Sequence, residues 1–546
     1  MSGKNDLLGS VAGQVLAADA PVKVPGPVAY RGGGYMRGGR SVALNGWHPA
    51  LREAQDDVAT AWEKAAARAT DAIINSGWLS GAIEQCVGNV VGTGLRLKAQ
   101  PENQIFGMSD LEAQKWAKMV EQRWEVWSGR PYECDLEGRR TFGHIQDAAF
   151  RGWLATGEIL SEVVWRNRPG AETGTKVRLL PAHRLSRVTD DLRGIKTGVV
   201  VDGDGMPIAY VAHTRSPWGV DTERRVPARD RLGRLLVGHF HDGPIGAYRG
   251  IGPLVPVLQT VRQFDDLSDA TLAGQILKTL WAATIESESP TQEALAGFFT
   301  PQEAATMGAH GESLLEAFLD MTAGYYDGSP INVGRNGRVG HLFPGDKFEL
   351  QTAGAPGSDY QAYSSDLKRE IARALGMTYE SFTGDYTDAS YNSMAYGTTE
   401  IFEVTKSRRA KIVSPFCQMA YEAWLEEEIE AERVPFPGGI DAFVANRAAA
   451  SRAVWRGAPK AQADLLKSAK AWEVLDRLGV ISQGMIADSL GADIEDVYAA
   501  RQQEAEMRRQ YGLPEPSFMN AAGGGVAAKD AEDAPGDAET DGEGIA

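Results

Sequence analysis

The chain has 546 residues, 43% hydrophobic and 24% charged, the proportions of an ordinary globular protein with room for about two to four domains. Its formal net charge is −17, from 73 acidic against 56 basic side chains. That balance argues against tight storage of nucleic acid by its phosphates, and it is compatible with a surface along which DNA slides.

Residues 1–45 carry runs such as Gly32-Gly33-Gly34 and Gly38-Gly39 and read as a mobile N-terminal arm. They lack the basic-then-apolar pattern of a secretory signal, and no apolar run along the chain reaches membrane-span length. Cys86, Cys134 and Cys417 lie far apart with no CxxC pair, so free thiols in a reducing cytoplasm are expected. The spacing of Trp62, Ala65, Ala66, Ala69 and Ile73 predicts a helix over 49–75, ended by Gly77, with a shorter helix over 78–91. Leu95-Arg-Leu-Lys98 alternates as a strand does. Trp116, Met119, Val120, Trp124 and Trp127 mark an amphipathic helix over 110–128, and another follows over 141–156. Strands are predicted over 159–165, 177–180, 198–202 and 207–212. The last two are joined by Asp202-Gly-Asp-Gly205, whose residues tolerate the positive φ of a tight turn.

From 253 to 283 one long helix is predicted, with Pro253 and Pro256 near its start, where proline is tolerated. At 1.5 Å per residue its ~30 residues extend ~45 Å, the length of a strut. A smaller α/β insertion over 285–350 holds strand-like 281–285, a helix near 312–322 and the turn Val333-Gly-Arg-Asn-Gly-Arg338. A second helix runs over 358–375, followed by an irregular stretch, 376–392. A helix over 393–413 is expected to be interrupted at Ser414-Pro415 and to resume as far as 431. After Pro435-Phe-Pro-Gly-Gly439, residues 459–512 read as a compact helical module. The acid-rich tail from Ala521 is too polar to fold. The fold class expected is α+β, mainly helical.

Signatures of covalent chemistry are missing. There is no GxxxxGK[ST] loop and no GxSxG elbow, and the glycines at 32–39 do not sit between a strand and a helix. His239-Phe-His241-Asp242 is the most metal-like cluster, since both histidines share one face of a strand. No third ligand follows at a fitting spacing, and a half-exposed strand edge explains the alternation as well. Asp265, Asp266 and Asp269 read as a solvated helix face. Lys406, Arg408, Arg409 and Lys411 form the densest basic run. They are phosphate-contact candidates as one helix face, although solvation or salt bridges between subunits explain them more simply. No catalytic residue, metal or cofactor is expected.

Several stretches, in order, resemble the lambda-type family of phage portal proteins. They are Ile74–Ala82 with Asn89–Leu95, Leu179–Leu185 with Gly198–Tyr210, Arg249-Gly-Ile-Gly-Pro-Leu254, Leu342-Phe-Pro-Gly-Asp-Lys-Phe-Glu349, Ala372–Asp388, Ser390-Tyr-Asn-Ser393 and Trp455-Arg-Gly457. The series spans residues 50 to 510. In the Ser390 element Asn392 separates Tyr391 from Ser393, a small departure from the family pattern. The resemblance implies a ring-forming portal fold of wing, stem, clip and crown, twelve copies to a ring. On this chain it implies a wing over 46–250, first stem helix 251–284, clip 285–350, second stem helix 351–375, tunnel loop 376–395, wing helix 396–439, crown 440–512 and acidic tail 513–546. The DNA-facing candidates are then Gly384, Asp385, Tyr386, Thr387, Asp388, Ala389, Ser390, Tyr391 and Asn392.

The same resemblance implies a structural protein of the virion at one capsid vertex, assembled in the host cytoplasm, through which double-stranded DNA is packaged and ejected. Implied partners are sliding duplex DNA, the large terminase, the head–tail connector, the major capsid protein and scaffold; no membrane is involved. Twelve helices about 10 Å wide would enclose a bore of roughly 28 Å, wide enough for a duplex and a layer of water. The rival readings are a capsid maturation protease, which lacks a nucleophile and base here, and a head–tail adaptor, for which the chain is too long.

Overall fold

The computed structural model describes residues 50–215, 221–280, 284–285, 330–333, 337–341, 358–461 and 464–514. The expected arm (1–45), the helix near 312–322 and the tail from Ala521 lie outside the described residues. α1 (Ala54–Asn75) buries Val58, Trp62, Ala66 and Ala69, a stripe repeating at four, four and three residues. The break that follows falls at Ser76, held extended at φ −95° and ψ 117°, and Gly77 opens α2 (Gly77–Val90) rather than ending α1. α3 (Asp110–Gly129) starts with a capping box. The Ser109 side chain accepts from the Glu112 backbone N–H, and the Glu112 carboxylate accepts from that of Ser109. α4 (Phe142–Thr156) is capped by Thr141 and stops at Gly157, which takes the left-handed conformation, φ 84°.

Three antiparallel strands follow in the order β3-β2-β8, with β2 (Glu158–Trp165) between β3 (Thr175–Leu180) and β8 (Val237–His241). A four-stranded meander joins β4 (Ile195–Lys196), β5 (Val199–Val201), β6 (Pro207–Arg215) and β7 (Asp221–Pro227). Its β5–β6 connection is the turn expected at Asp202–Gly205, where the Asp202 carboxylate accepts from the backbone of Asp204 and Met206. The pair β1 (Arg96–Ala99) and β12 (Ala453–Arg456) ties the beginning of the body to its end.

The long helix starts with a 3-10 turn at Val255–Val257 and becomes α5 (Leu258–Leu280). Of the insertion, β9 (Thr284–Ile285), β10 (Pro330–Val333) and β11 (Gly337–His341) are described and form one sheet. α6 (Ser358–Leu375) has the bounds that the sequence predicts, and it packs against α5. The irregular stretch expected over 376–392 is partly helical. Thr378 caps a short helix, α7 (Tyr379–Thr383), and Ser390 with Ser393 forms a capping box that starts α8 (Tyr391–Arg408). Nor does Ser414-Pro415 interrupt the next helix. A π-turn at Arg409–Val413 carries α8 directly into α9 (Ser414–Glu430). Proline lacks an N–H and crowds the carbonyl four residues back, so the preceding turn widens while the axis continues.

α9 is the centre of the body. It buries Phe416, Cys417, Met419, Ala420, Tyr421, Ala423, Trp424, Leu425 and Ile429. Trp124 packs edge-on to Phe142, Trp424, Trp455 and Tyr421, at ring distances of 5.2, 5.2, 5.6 and 5.7 Å. Each such side chain contributes about 1.5–3 kcal/mol by leaving water. Of the stretch expected as crown, 440–512, the part up to Arg456 belongs to this body: Phe443, Ala450 and Trp455 are in its core. After α10 (Gly439–Ala445) and β12, the helices α11 (Leu465–Arg477), α12 (Gln483–Ser489) and α13 (Ile494–Gln510) contribute no residue to that core.

Candidate functional site

The chain enters α5 through a crossing of two backbones. A Cβ on Gly250 would overlap the carbonyl oxygen of Gly157, and one on Gly157 would overlap the backbone of Ile251. Only glycines allow so close an approach. Beside the crossing lies a buried ion pair that sequence reasoning missed. Arg249 Nη2 donates to Glu158 Oε1 at 2.5 Å and Nε to Oε2 at 2.8 Å, with the two side chains 1% and 0% exposed. His239 Nε2 lies 3.1 Å from the same carboxylate, and Gly250 N–H donates to it at 3.3 Å. The guanidinium also lies 3.9 Å above the Trp62 ring of α1. Burial alone would raise the Glu158 pKa. The His239 and Arg249 contacts outweigh it and bring the value down to about 2.

His239 is therefore occupied in structural work, on the face of β8 that it shares with His241. Their rings lie 4.9 Å apart. Burial, followed by the neighbouring His239, lowers His241 to about 4, and its Nδ1 has no hydrogen-bond partner among the described residues. Among the described residues no group of three His, Cys, Asp or Glu side chains is placed to hold a metal ion.

At the base of the helix pair, Trp78 of α2 meets three elements. Its ring stacks on Phe382 of α7 at 5.9 Å, meets Phe264 of α5 edge-on at 6.3 Å, and lies 4.4 Å from Lys368 Nζ of α6. Gln85 of α2 donates to the Ser381 hydroxyl at 2.5 Å. α7 is thus pinned to α2 while the loop beyond it projects. Gly384 ends α7 at φ 70°. Asp385 then accepts from the Thr387 N–H at 3.1 Å and from its hydroxyl at 2.6 Å, bonds that lower its pKa. Ala389 N–H donates to the Tyr386 carbonyl at 3.1 Å.

Of the loop residues singled out from sequence, Gly384 to Ala389 are irregular, Ser390 is the cap, and Tyr391 and Asn392 begin α8. Tyr386 is 49% exposed, Tyr391 51% and, one turn on, Tyr396 78%. The result is a short, internally hydrogen-bonded knuckle with two aromatic rings and several hydroxyls toward solvent. Its two carboxylates, Asp385 and Asp388, stand among those hydroxyls.

The basic run does not form one free face. Arg409 is 8% exposed, donating to the carbonyls of Val90 at 2.7 Å and Asn89 at 2.5 Å, so its charge caps the C-terminal end of α2. As a phosphate contact Arg409 is corrected: its guanidinium is enclosed in the body. Arg408 lies 5.8 Å from the Trp153 ring, Lys406 pairs with Glu403 at 2.7 Å, and Lys411 pairs with Asp242 at 3.0 Å. Lys406 and Lys411 are thus held in ion pairs within the chain, and Arg408 lies over an aromatic ring.

No described helix is long and apolar enough to cross a membrane. A family model for the phage portal protein, lambda family, matches residues 40–409. Portal protein B of Escherichia phage lambda is 27% identical over 518 residues, covering 93% of this chain and 95% of that protein. The portal protein of Escherichia phage N15 is 28% identical over 504 residues, covering 90% and 93%. A chain from the virion of a native gene transfer agent particle aligns with 81% of this chain and 99% of its own length, with a TM-score of 0.39 and 13% identity.

Proposed function

The chain belongs to the lambda family of phage portal proteins, and from that premise we propose that it closes into a ring, of twelve copies, whose central hole conducts double-stranded DNA. The family is structural, and its members are components of the virion. The observation that supports the channel most is the arrangement at the helix pair. α5 and α6 run beside each other, and the exposed knuckle 384–390 follows from their base, pinned there through α7 and Trp78. In a ring, each copy contributes that pair to the wall and that knuckle to the bore. Tyr386, Thr387 and Ser390 then brush the duplex. The chain's net charge of −17 favours a duplex that moves over one held by its phosphates.

The remaining assignments belong to the same reading. α1 to β8 and the long α8–α9 helix form the wing, which faces the major capsid protein and scaffold. Residues 285–350 form the clip, which faces the large terminase during packaging and the head–tail connector afterwards. α11 to α13 form the crown, its boundary moved to follow Arg456. Leu272, 60% exposed on α5, lies on a stem surface that a neighbouring copy covers. Negative-stain images of the purified protein test the ring. Class averages with twelve- or thirteen-fold symmetry and a central hole support it, and a field of compact single chains under assembly conditions refutes it.

A further inference from the structure

The three C-terminal helices are joined to the body in an unusual way. Neither α11 nor α13 has a buried residue, and among the described residues of 464–514 only Ala487 is buried. Leu466, Val474, Leu478, Val480 and Tyr511 are all more than half exposed. This module therefore has almost no apolar core, and its contacts with the body are mainly between charges. Lys98 of β1 sits 2.7 Å from Asp493 and 3.5 Å from Glu495. Lys118 of α3 pairs with Asp496. Arg456 of β12 lies 2.9 Å from Asp488 and 3.2 Å from Asp493. The three cations come from three separate elements of the body, and the four carboxylates cluster at the end of α12 and the start of α13. Asp493 is also the cap of α13, accepting from the Glu495 N–H. Seating the module and capping that helix thus use one carboxylate.

We propose that this module is a releasable arm, held against the body by an ion-pair latch of Lys98, Lys118 and Arg456 with Asp488, Asp493, Glu495 and Asp496. Hydrophobic docking does not weaken with salt, whereas ion pairs do: the screening length falls from about 30 Å at 0.01 M to about 3 Å at 1 M. Partly exposed pairs are individually weak, so the latch depends on several acting together. Once released, α13 has little apolar surface to keep it folded, and its amides open to solvent. The latch works within one chain, whether or not the chain is in a ring.

Hydrogen exchange on the full-length protein tests it, followed in peptides from Ile494–Gln510 and, as reference, from Ser414–Glu430. On raising salt from 0.01 to 1 M, exchange in the first set is expected to quicken by about tenfold while the reference stays fixed. Lys118→Glu should give a similar rise at low salt, and Lys118→Glu with Asp496→Lys should reverse most of it. Lys98→Glu is a second opening variant, read the same way. Salt-independent exchange in 494–510, an equal rise in the reference, or a double variant no slower than the single one would each overturn the latch.

Discussion

Removing Arg249 tests the physical account of the entrance to α5 at its most enclosed point. Arg249→Met keeps the length of the side chain and removes the charge, leaving the Glu158 carboxylate with His239 and one backbone N–H in a site closed to water. Breaking one half of a buried pair in this way costs about 3–5 kcal/mol, because the remaining charge is desolvated without compensation. Replacing both halves, as Glu158→Gln with Arg249→Met, removes the stranded charge and should recover about 2 kcal/mol of that loss. The pH dependence supplies a second reading. The wild-type Glu158 pKa is depressed from 4.5 to about 2, so its contribution is complete above 4.5 and is lost as the pH falls toward 2. In Arg249→Met the carboxylate takes up a proton more readily, so the gap to wild type should narrow as the pH is lowered. Urea unfolding at fixed protein concentration, followed by tryptophan fluorescence, measures all three proteins. A loss under about 1 kcal/mol, or a double variant less stable than the single one, would refute the reasoning.

Further outcomes follow from other contacts. His241 is lowered from 6.5 to about 4, so it favours the fold above 6.5 and that stabilisation is lost between 6.5 and 4; His241→Phe should flatten the urea midpoint over this window by roughly one proton's worth of slope. Gly250→Ala must push apart the two backbones at the crossing, which should cost about 2 kcal/mol in the same assay. Ser390→Ala removes the cap of α8 and should cost about 1 kcal/mol, while Tyr386→Ala, at an exposed site, should leave stability within about 0.5 kcal/mol of wild type and instead change the length of DNA packaged per particle.

Much of the body was legible because its helices carry plain stripes. Trp116, Val120, Trp124 and Trp127 repeat at four, four and three residues, and all four are buried on α3. α6 begins and ends where expected, since Pro356-Gly357 precedes it and Gly376 follows. Where the reading failed, local signals pointed the wrong way. Pro415 announced a break, but the π-turn before it absorbs the missing hydrogen bond within one axis. The Gly- and Asp-rich stretch after Gly376 looked irregular, and its two caps, Thr378 and Ser390, were hidden among other hydroxyl residues. At the candidate site, residues 384–390 lie in one stretch and are singled out through the family resemblance. The Glu158–Arg249 pair could not be seen in sequence, because its halves are 91 residues apart and pair only when β2 and the segment leading into α5 meet. The available signal was each charge's setting: Glu158 between Gly157 and an apolar strand, Arg249 directly before Gly250.

The claim on which the function rests is that the knuckle after the helix pair faces duplex DNA within a shared hole. A photo-crosslinking amino acid at position 386, in particles arrested during packaging, tests it directly, with the exposed position 188 as control. The account predicts DNA adducts at 386 and none at 188. Adducts at 188 alone, or equal labelling at both positions, would contradict it.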